Sequence, residues 1–559
     1  MSGPTKRLQQ LSDQLTQPCT VDTYRHPRSA KDAPHFTPLN PIRFLMRAAV
    51  VYAQKTAIIY NDHSYTFEQL ADRARRLANA LLESYQIEKG DRVGILCLNH
   101  PVYIEAHYAV PATGGIMVPI NTRLSPDEIE YILDHSGTKV LLVDDESVQL
   151  LTEKARKQVK TIIVSDHPGK SEYERVLSNS SNRLLWRELY MEQDELAVIS
   201  INYTSGSTAR PKGVMALYRG CYLAGITVTG QLGISSESVL LSSSPMFHCN
   251  GWNFPYGVVA VGGTQVIMGK VDYARIWKHL KESNVTHYNG APVVQNLLCH
   301  HPDAVRLAHP VKGFSGGSPL PKNVSKRLRE LNIYITQIYG LTETYGPTVV
   351  SYDHCTVSHI PEDQQFDLLA RQGHPCNNVD EIRVINQQTG KDVALDSTEV
   401  GEICFSGNLV SGGYYKNEEA TKNAYRDGLF WSGDLAVRHS DGSIEVVDRS
   451  KDMILSGAEN ISSLEVEASI LKMDHIMECA VVSMPDEKWG ERPAAFIVME
   501  SGKTLSEEQV ISHCRATLAG YKCPSKIFFT NELPKTSTGK TKKVILREKL
   551  WSGHNKRVQ

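Results

Sequence analysis

An apolar run, Leu196-Ala-Val-Ile-Ser-Ile-Asn202, leads straight into Tyr203-Thr-Ser-Gly-Ser-Thr-Ala-Arg-Pro-Lys-Gly213. The first piece reads as a buried strand, and the second stops it with hydroxyl side chains and glycine. Thr204, Ser205, Ser207 and Thr208 crowd together with Gly206 and Lys212. This composition suits a mobile loop wrapped around polyphosphate: hydroxyls and backbone N–H groups donate to the oxygens, and the lysine supplies a point charge. It is not the G-x-x-x-x-G-K-[ST] loop of the NTPases, because Gly213 follows Lys212 and no Ser or Thr comes next to hold magnesium. The competing reading of the run alone is a polar surface loop. The rest of the chain has to decide.

Around this junction, from about Asn40 to Leu435, short apolar strands alternate with helices. Thr66 and Gln69 form a capping box ahead of Leu70, Leu77 and Leu81 on one helical face. Strand-like runs recur at Val93–Leu98, Val140–Val143, Thr161–Val164 and Thr264–Met268. Such alternation predicts an α/β fold with parallel sheets. The turn-rich stretch Glu381–Phe405 predicts a small β subdomain. A charged cluster, Asp448-Arg449-Ser450-Lys451-Asp452, marks a boundary, and the remainder has an α/β pattern of its own. The expected division is an N-terminal extension over 1–37, a large domain over 38–448 and a smaller mobile α+β domain over 449–559.

A length of 559 residues exceeds one typical domain, and 41 % hydrophobic with 22 % charged residues is ordinary for a globular protein. A net charge of −2 gives no electrostatic reason to expect nucleic acid or an anionic membrane as partner. The eleven cysteines are scattered without a C-x-x-C pair, which argues against zinc and for a reducing compartment. The most apolar region, Tyr256–Met268, is short and broken by glycines, so it reads as core and not as a transmembrane segment.

A second chemical segment is Gln337-Ile-Tyr-Gly-Leu-Thr-Glu343, after the strand-like Ile333–Ile335. Glu343 at a strand end can hold Mg²⁺, which prefers few carboxylates plus phosphate oxygens. Tyr339 offers a face for a base, Gly340 adjoins it, and Thr342 offers a hydroxyl to an α-phosphate or a carboxylate. By itself this is equally a loop with a capping threonine.

Together, these segments resemble the adenylate-forming superfamily of acyl-CoA synthetases, luciferases and peptide-synthetase adenylation domains. The family pattern T-S-G-[ST]-T-G-x-P-K-G matches Thr204–Gly213 with one departure, Ala209 in place of glycine. Alanine reaches positive φ less readily, so the departure stiffens the loop without removing a phosphate donor. The resemblance runs from about Pro38 to Arg547. It implies that Tyr339 stacks adenine, Thr342 touches the α-phosphate and Glu343 binds magnesium. Trp431-Ser-Gly-Asp434 resembles the segment whose aspartate accepts both ribose hydroxyls; Arg449 matches a second ribose contact, and Lys451 the hinge. Pro534-Lys-Thr-Ser-Thr-Gly-Lys540 resembles the motif whose last lysine reaches the acyl carboxylate and α-phosphate, where two anionic reactants need a cation. A rotation about Lys451 is implied to bring Ser456-Gly457-Ala-Glu459 to the pantetheine path. Phe314–Pro321, with Gly316 and Gly317, resembles the segment lining the acyl and adenine pockets.

Pro245-Met-Phe-His-Cys-Asn-Gly-Trp252 sets the subclass. Peptide-synthetase domains usually place an aspartate after this phenylalanine for the substrate's ammonium, and His248 would leave that ammonium unpaired. The run looks most like the short- or medium-chain and benzoate-type CoA ligases, with Trp252 as part of the acyl wall. The expectation is an ATP- and Mg²⁺-dependent acyl-CoA synthetase that takes a carboxylic acid and coenzyme A and needs no catalytic cysteine, Cys249 being packing. The alternatives are an enzyme loading a carrier-protein thiol, a luciferase-like monooxygenase and a non-catalytic acyl- or nucleotide-binding protein. At the N-terminus, Arg7-Leu8, five residues, then Gln14-Leu15, with Leu11 between, resembles a type 2 peroxisomal signal. It implies a peroxisomal import receptor as partner; without it the enzyme is cytoplasmic.

Overall fold

Nine successive buried residues, Pro101–Ala109, show where the core lies. This helix, whose one acidic residue Glu105 is paired with Arg73 at 2.7 Å, is packed with the capped helix Phe67–Glu83 in a cluster that draws Ile58 from one sheet and Val93 from another. The computed structural model describes residues 37–166, 171–181, 183–204, 210–317, 320–379, 381–457, 459–500, 502–536 and 540–552. Met1–Leu39 and Asn40–Gln559 separate as two units. The architecture below is that of the second.

Two large sheets form its body. One has six strands, running Lys160–Val164, Thr138–Asp144, Arg92–Leu96, Ile116–Pro119, Val198–Thr204, Lys212–Leu217 across the sheet. All neighbours are parallel except the last pair. The other has nine strands, parallel through its centre from Ile333–Leu341 to Thr56–Tyr60 and antiparallel at both ends. This is the expected α/β fold with parallel sheets. The capping box at Thr66 and Gln69 is present, and Leu70, Leu77 and Leu81 are buried.

Three differences carry physical content. The strand expected at Ile333–Ile335 continues to Leu341, because Gly346–Val350 folds back to pair with its second half. The small β subdomain is larger than Glu381–Phe405: Leu429–Arg438 and Ile444–Arg449 join it, making a five-stranded antiparallel sheet. Finally, Val198–Thr204 and Lys212–Leu217 are antiparallel, with Thr204 opposite Lys212. The hydroxyl-rich loop therefore closes a hairpin, whereas an NTPase P-loop leads into a helix.

After Arg449 the chain builds a last sheet, centred on Ile476–Asp486 and Gly490–Met499 and flanked by helices Ser463–Ile470, Glu507–Thr517 and Lys543–Trp551. Phe254–Val261 and Thr264–Ile267 are mostly buried, as expected for core. No helix among the described residues is long and apolar enough to cross a membrane.

Candidate active site

The hairpin edge positions the first group of side chains. Lys212 lies on the strand Lys212–Leu217, whose outer edge pairs with Gly412–Tyr415: the Met215 N–H donates to the Gly413 carbonyl at 3.0 Å and the Tyr415 N–H to the Gly213 carbonyl at 2.7 Å. This pairing sets the Tyr414 ring 5.1 Å from the Lys212 ammonium. The Tyr414 hydroxyl in turn donates to Glu343 Oε1 at 2.8 Å. Lys212, Tyr414 and Glu343 thus form one chain of contacts. Burial pushes the Glu343 carboxyl above its ordinary range, partly offset by the Tyr414 hydrogen bond. A cation would relieve that penalty, and magnesium prefers few carboxylates plus phosphate oxygens, so a magnesium ion held by one carboxylate fits here. No cluster of three or more metal-ligating side chains occurs among the described residues.

A second group is built on the extended strand Ile333–Leu341. Tyr339 stacks on Phe405, ring centroids 6.2 Å apart, and its hydroxyl donates to Asp434 Oδ2 at 2.8 Å. Asp434 and Arg449 are cross-strand partners, which brings Arg449 Nε to 3.2 Å from Asp434 Oδ1. An aromatic face beside a carboxylate and a guanidinium is a fit for a base and its ribose. Gly340 sits at a bulge in this strand, where a Cβ would lie 1.9 Å from the Gly346 carbonyl oxygen. Thr342, in the following turn, is buried, with its hydroxyl 3.3 Å from Cys249 Sγ.

Beside these groups lies a cavity of about 440 Å³, lined among others by His248, Trp252, Gly316, Tyr339, Gly340 and Lys540. Lys540 arrives from the far end of the chain: a Cβ built on Gly317, whose φ is +99°, would be 3.1 Å from its Cε. Burial, with Arg449 nearby, lowers the Lys540 ammonium to about 8. Burial, and secondarily Lys540, lowers His248 to about 4, so its imidazole is neutral near pH 7. Trp252 is 8 % exposed and packs with Phe254, Phe314 and Ile338. The Cys249 thiol is buried and raised to about 11 by that burial, which leaves it a weak nucleophile.

His248, Trp252, Gly316, Gly317, Tyr339, Gly340 and Lys540 are therefore brought to one cavity, with Thr342, Asp434 and Arg449 bonded to or beside its walls. Thr204 and Lys212 stand at the hairpin, next to Tyr414 and Glu343. Ser205, Gly206, Ser207 and Thr208, with Ala209, lie outside the described residues, as does the N-terminal run 7–15 expected to be a targeting signal. Lys451 and Gly457 do not line the cavity; Gly457 sits in the turn between the strands Ile454–Ser456 and Glu459–Ile461, its N–H donating to the Trp489 carbonyl at 2.7 Å. Sequence reasoning missed Tyr414, for which the Gly412-Gly413 pair ahead of two tyrosines was the available signal. It also missed Val293 and Val294 of the cavity wall.

Over most of its length the chain is similar to known proteins. Residues 45–415 match the model of the AMP-binding enzyme family, and residues 465–540 that of the AMP-binding enzyme C-terminal domain. A probable acyl-activating enzyme of Arabidopsis thaliana, named as peroxisomal, is 39 % identical over 91 % of this chain and 93 % of its own length. A benzoate–CoA ligase of the same plant, also named as peroxisomal, is 38 % identical with the same coverage. Among solved structures, the Bacillus subtilis o-succinylbenzoate CoA synthetase bound to its acyl-adenylate intermediate has a TM-score of 0.78 at 26 % identity, covering 94 % of this chain and 99 % of that one.

Proposed function

The chain belongs to the AMP-binding enzyme family, and from that premise we infer that it is an ATP-dependent acyl-CoA synthetase acting on short- or medium-chain fatty acids or aromatic acids. The observation that carries this reading is the single cavity in which Lys540, His248, Trp252 and Tyr339 meet. Relatives named as acetate/butyrate–CoA ligase and benzoate–CoA ligase support the class of acid.

In the first half-reaction an oxygen of the acid's carboxylate attacks the α-phosphorus of ATP. A P–O bond forms, the bond to pyrophosphate breaks, and acyl-adenylate remains. Tyr339 takes the adenine face, Asp434 and Arg449 the ribose, and Thr342 the α-phosphate. Lys540, protonated below about pH 8, neutralises charge between the two anions. Glu343 would hold a magnesium ion, which would supply charge neutralisation for the pyrophosphate. His248, held neutral, adds no competing cation to an acyl wall formed with Trp252. In the second half-reaction the thiolate of coenzyme A attacks the acyl carbon and AMP leaves. The division at 448/449, with Lys451 as hinge, lets the last domain change faces between the two steps.

The test is an AMP-release screen over C2 to C16 fatty acids, benzoate and cinnamates, with and without coenzyme A or a carrier protein. Coenzyme A-dependent release with a thioester product is expected. Release only with carrier protein would favour the loading alternative. The relatives named as peroxisomal support the same location for this enzyme, with residues 7–15 as its address.

A further inference from the structure

Five successive residues after His248 lie in the left-handed backbone region: Cys249 at φ 38°, Asn250 at 40°, Gly251 at 63°, Trp252 at 55° and Asn253 at 68°. Glycine and asparagine adopt this conformation readily, whereas cysteine and tryptophan do so only when their surroundings impose it. The surroundings here are specific. Asn250 Nδ2 donates to Ser200 Oγ at 3.3 Å, and Asn202 Nδ2 donates to the same oxygen at 3.0 Å. Ser200 lies on the strand that ends at Thr204, where the phosphate-loop hairpin opens. At the other end of the turn, Asn253 Nδ2 donates to the Tyr345 carbonyl at 2.6 Å. Tyr345 directly follows Thr342–Thr344, the turn that carries the magnesium and α-phosphate residues.

Both asparagines are fully buried, and neither Oδ1 takes a hydrogen bond from any described residue. Glycine alone would satisfy the backbone at either position; the amides add a donor that reaches another part of the site, at the cost of an unpaired buried oxygen. Between the two tethers stands Trp252, the bulkiest wall of the acyl cavity.

We propose that Asn250 and Asn253 are positioning residues that hold the Trp252 wall in fixed register with the nucleotide half of the site, and thereby set the length of acid that is activated. The inference rests on the acyl-CoA synthetase reading. Neither amide touches the reacting atoms. Each acts by fixing how far the indole stands from the carboxylate that meets Lys540 and the α-phosphate.

The test uses Asn253→Gly, which keeps the left-handed backbone and deletes only the tether. kcat/KM is measured for wild type and variant over straight-chain acids from C2 to C12, together with KM for ATP and thermal unfolding. The ratio between the preferred acid and one four carbons longer should shrink at least tenfold, with KM for ATP changed less than twofold. A uniform loss on every acid, with the profile unchanged in shape, would overturn the proposal, since a merely structural role lowers all acids alike. Gly346→Ala supplies a second reading with Asn253 intact: its Cβ would lie 2.8 Å from Asn253 Nδ2 and should push the tether aside. It should flatten the profile in the same direction, and an unmoved profile again counts against the proposal. A wild type that forms no acyl-CoA from any acid would overturn the parent reading and this inference together, an outcome distinct from an active enzyme with an unchanged profile.

Discussion

Lys540 is the cation on which the proposed first half-reaction turns, and its surroundings predict how it fails. Lys540→Ala should lower ATP–pyrophosphate exchange by about 10²–10³ while sparing thioester formation from supplied acyl-adenylate; unchanged exchange would refute the assignment. The pH dependence has a definite sign. Burial lowers the ammonium to about 8, and the charged form is the working one, so kcat/KM for adenylation should fall roughly tenfold per pH unit above that point. The limb should be absent when acyl-adenylate is supplied and only thioester formation is followed. Trp252 gives the third residue-scale expectation. Removing the indole opens volume that a longer acid fills at about 0.8 kcal/mol per methylene. Trp252→Ala should therefore move the preferred length upward by several carbons and weaken the native acid, as a chain-length series would reveal. Of these residues, Lys540, Trp252 and Tyr339 were legible in the sequence because each stands in a motif. Tyr414 was not, since it meets Glu343 only through a sheet edge, and the left-handed turn at 249–253 was not, since cysteine and tryptophan carry no signal for positive φ.

The element that most repays attention is the last helix, Lys543–Trp551. Its first turn sends Lys543 Nζ to Glu467 Oε1 at 2.7 Å and to Ser463 Oγ at 2.6 Å. Ser463 also bonds the Asp448 carboxylate through its N–H at 2.6 Å and its hydroxyl at 2.7 Å. One turn on, Arg547 pairs with Asp452 at 2.8 Å and donates to the Lys451 carbonyl at 3.3 Å. The helix thus holds residues at and after the proposed hinge directly and reaches Asp448, before it, through Ser463. Truncating one partner of a buried ion pair strands the other, so Lys543→Ala should destabilise the last domain by about 3–5 kcal/mol in denaturant unfolding. Lys451→Pro fixes φ at the hinge and should slow thioester formation far more than adenylation; equal loss of both would count against a hinge there. Strand and helix positions were largely readable from periodicity, as with Glu507–Thr517 inside the predicted Ser506–Leu518. The pairing of strands was not: that the hydroxyl-rich loop closes an antiparallel hairpin depends on which edges meet, which no local pattern encodes.

At the scale of the whole chain, the half-buried helix Phe67–Glu83 and the enclosed helix Pro101–Ala109 make the large sheets share one core, while the last sheet keeps a separate cluster around Ile454, Val481 and Ile497. Residues 1–15 lie outside the described residues. Their removal should leave catalysis intact and, by the peroxisomal reading, leave a C-terminally tagged fluorescent protein in the cytosol instead of in puncta; cytosolic fluorescence of the full-length protein would sink that reading. The path of Lys540 has one more consequence, for synthesis on the ribosome. Tyr339, His248 and Asp434 are translated long before it, and the cation that joins them is supplied only when the chain is nearly finished. A product of premature termination before codon 540 would carry the pocket for acid and nucleotide but lack the charge needed to join them. Interrupted translation would then release a protein that, on the proposed role of Lys540, forms acyl-adenylate at only a small fraction of the full chain's rate.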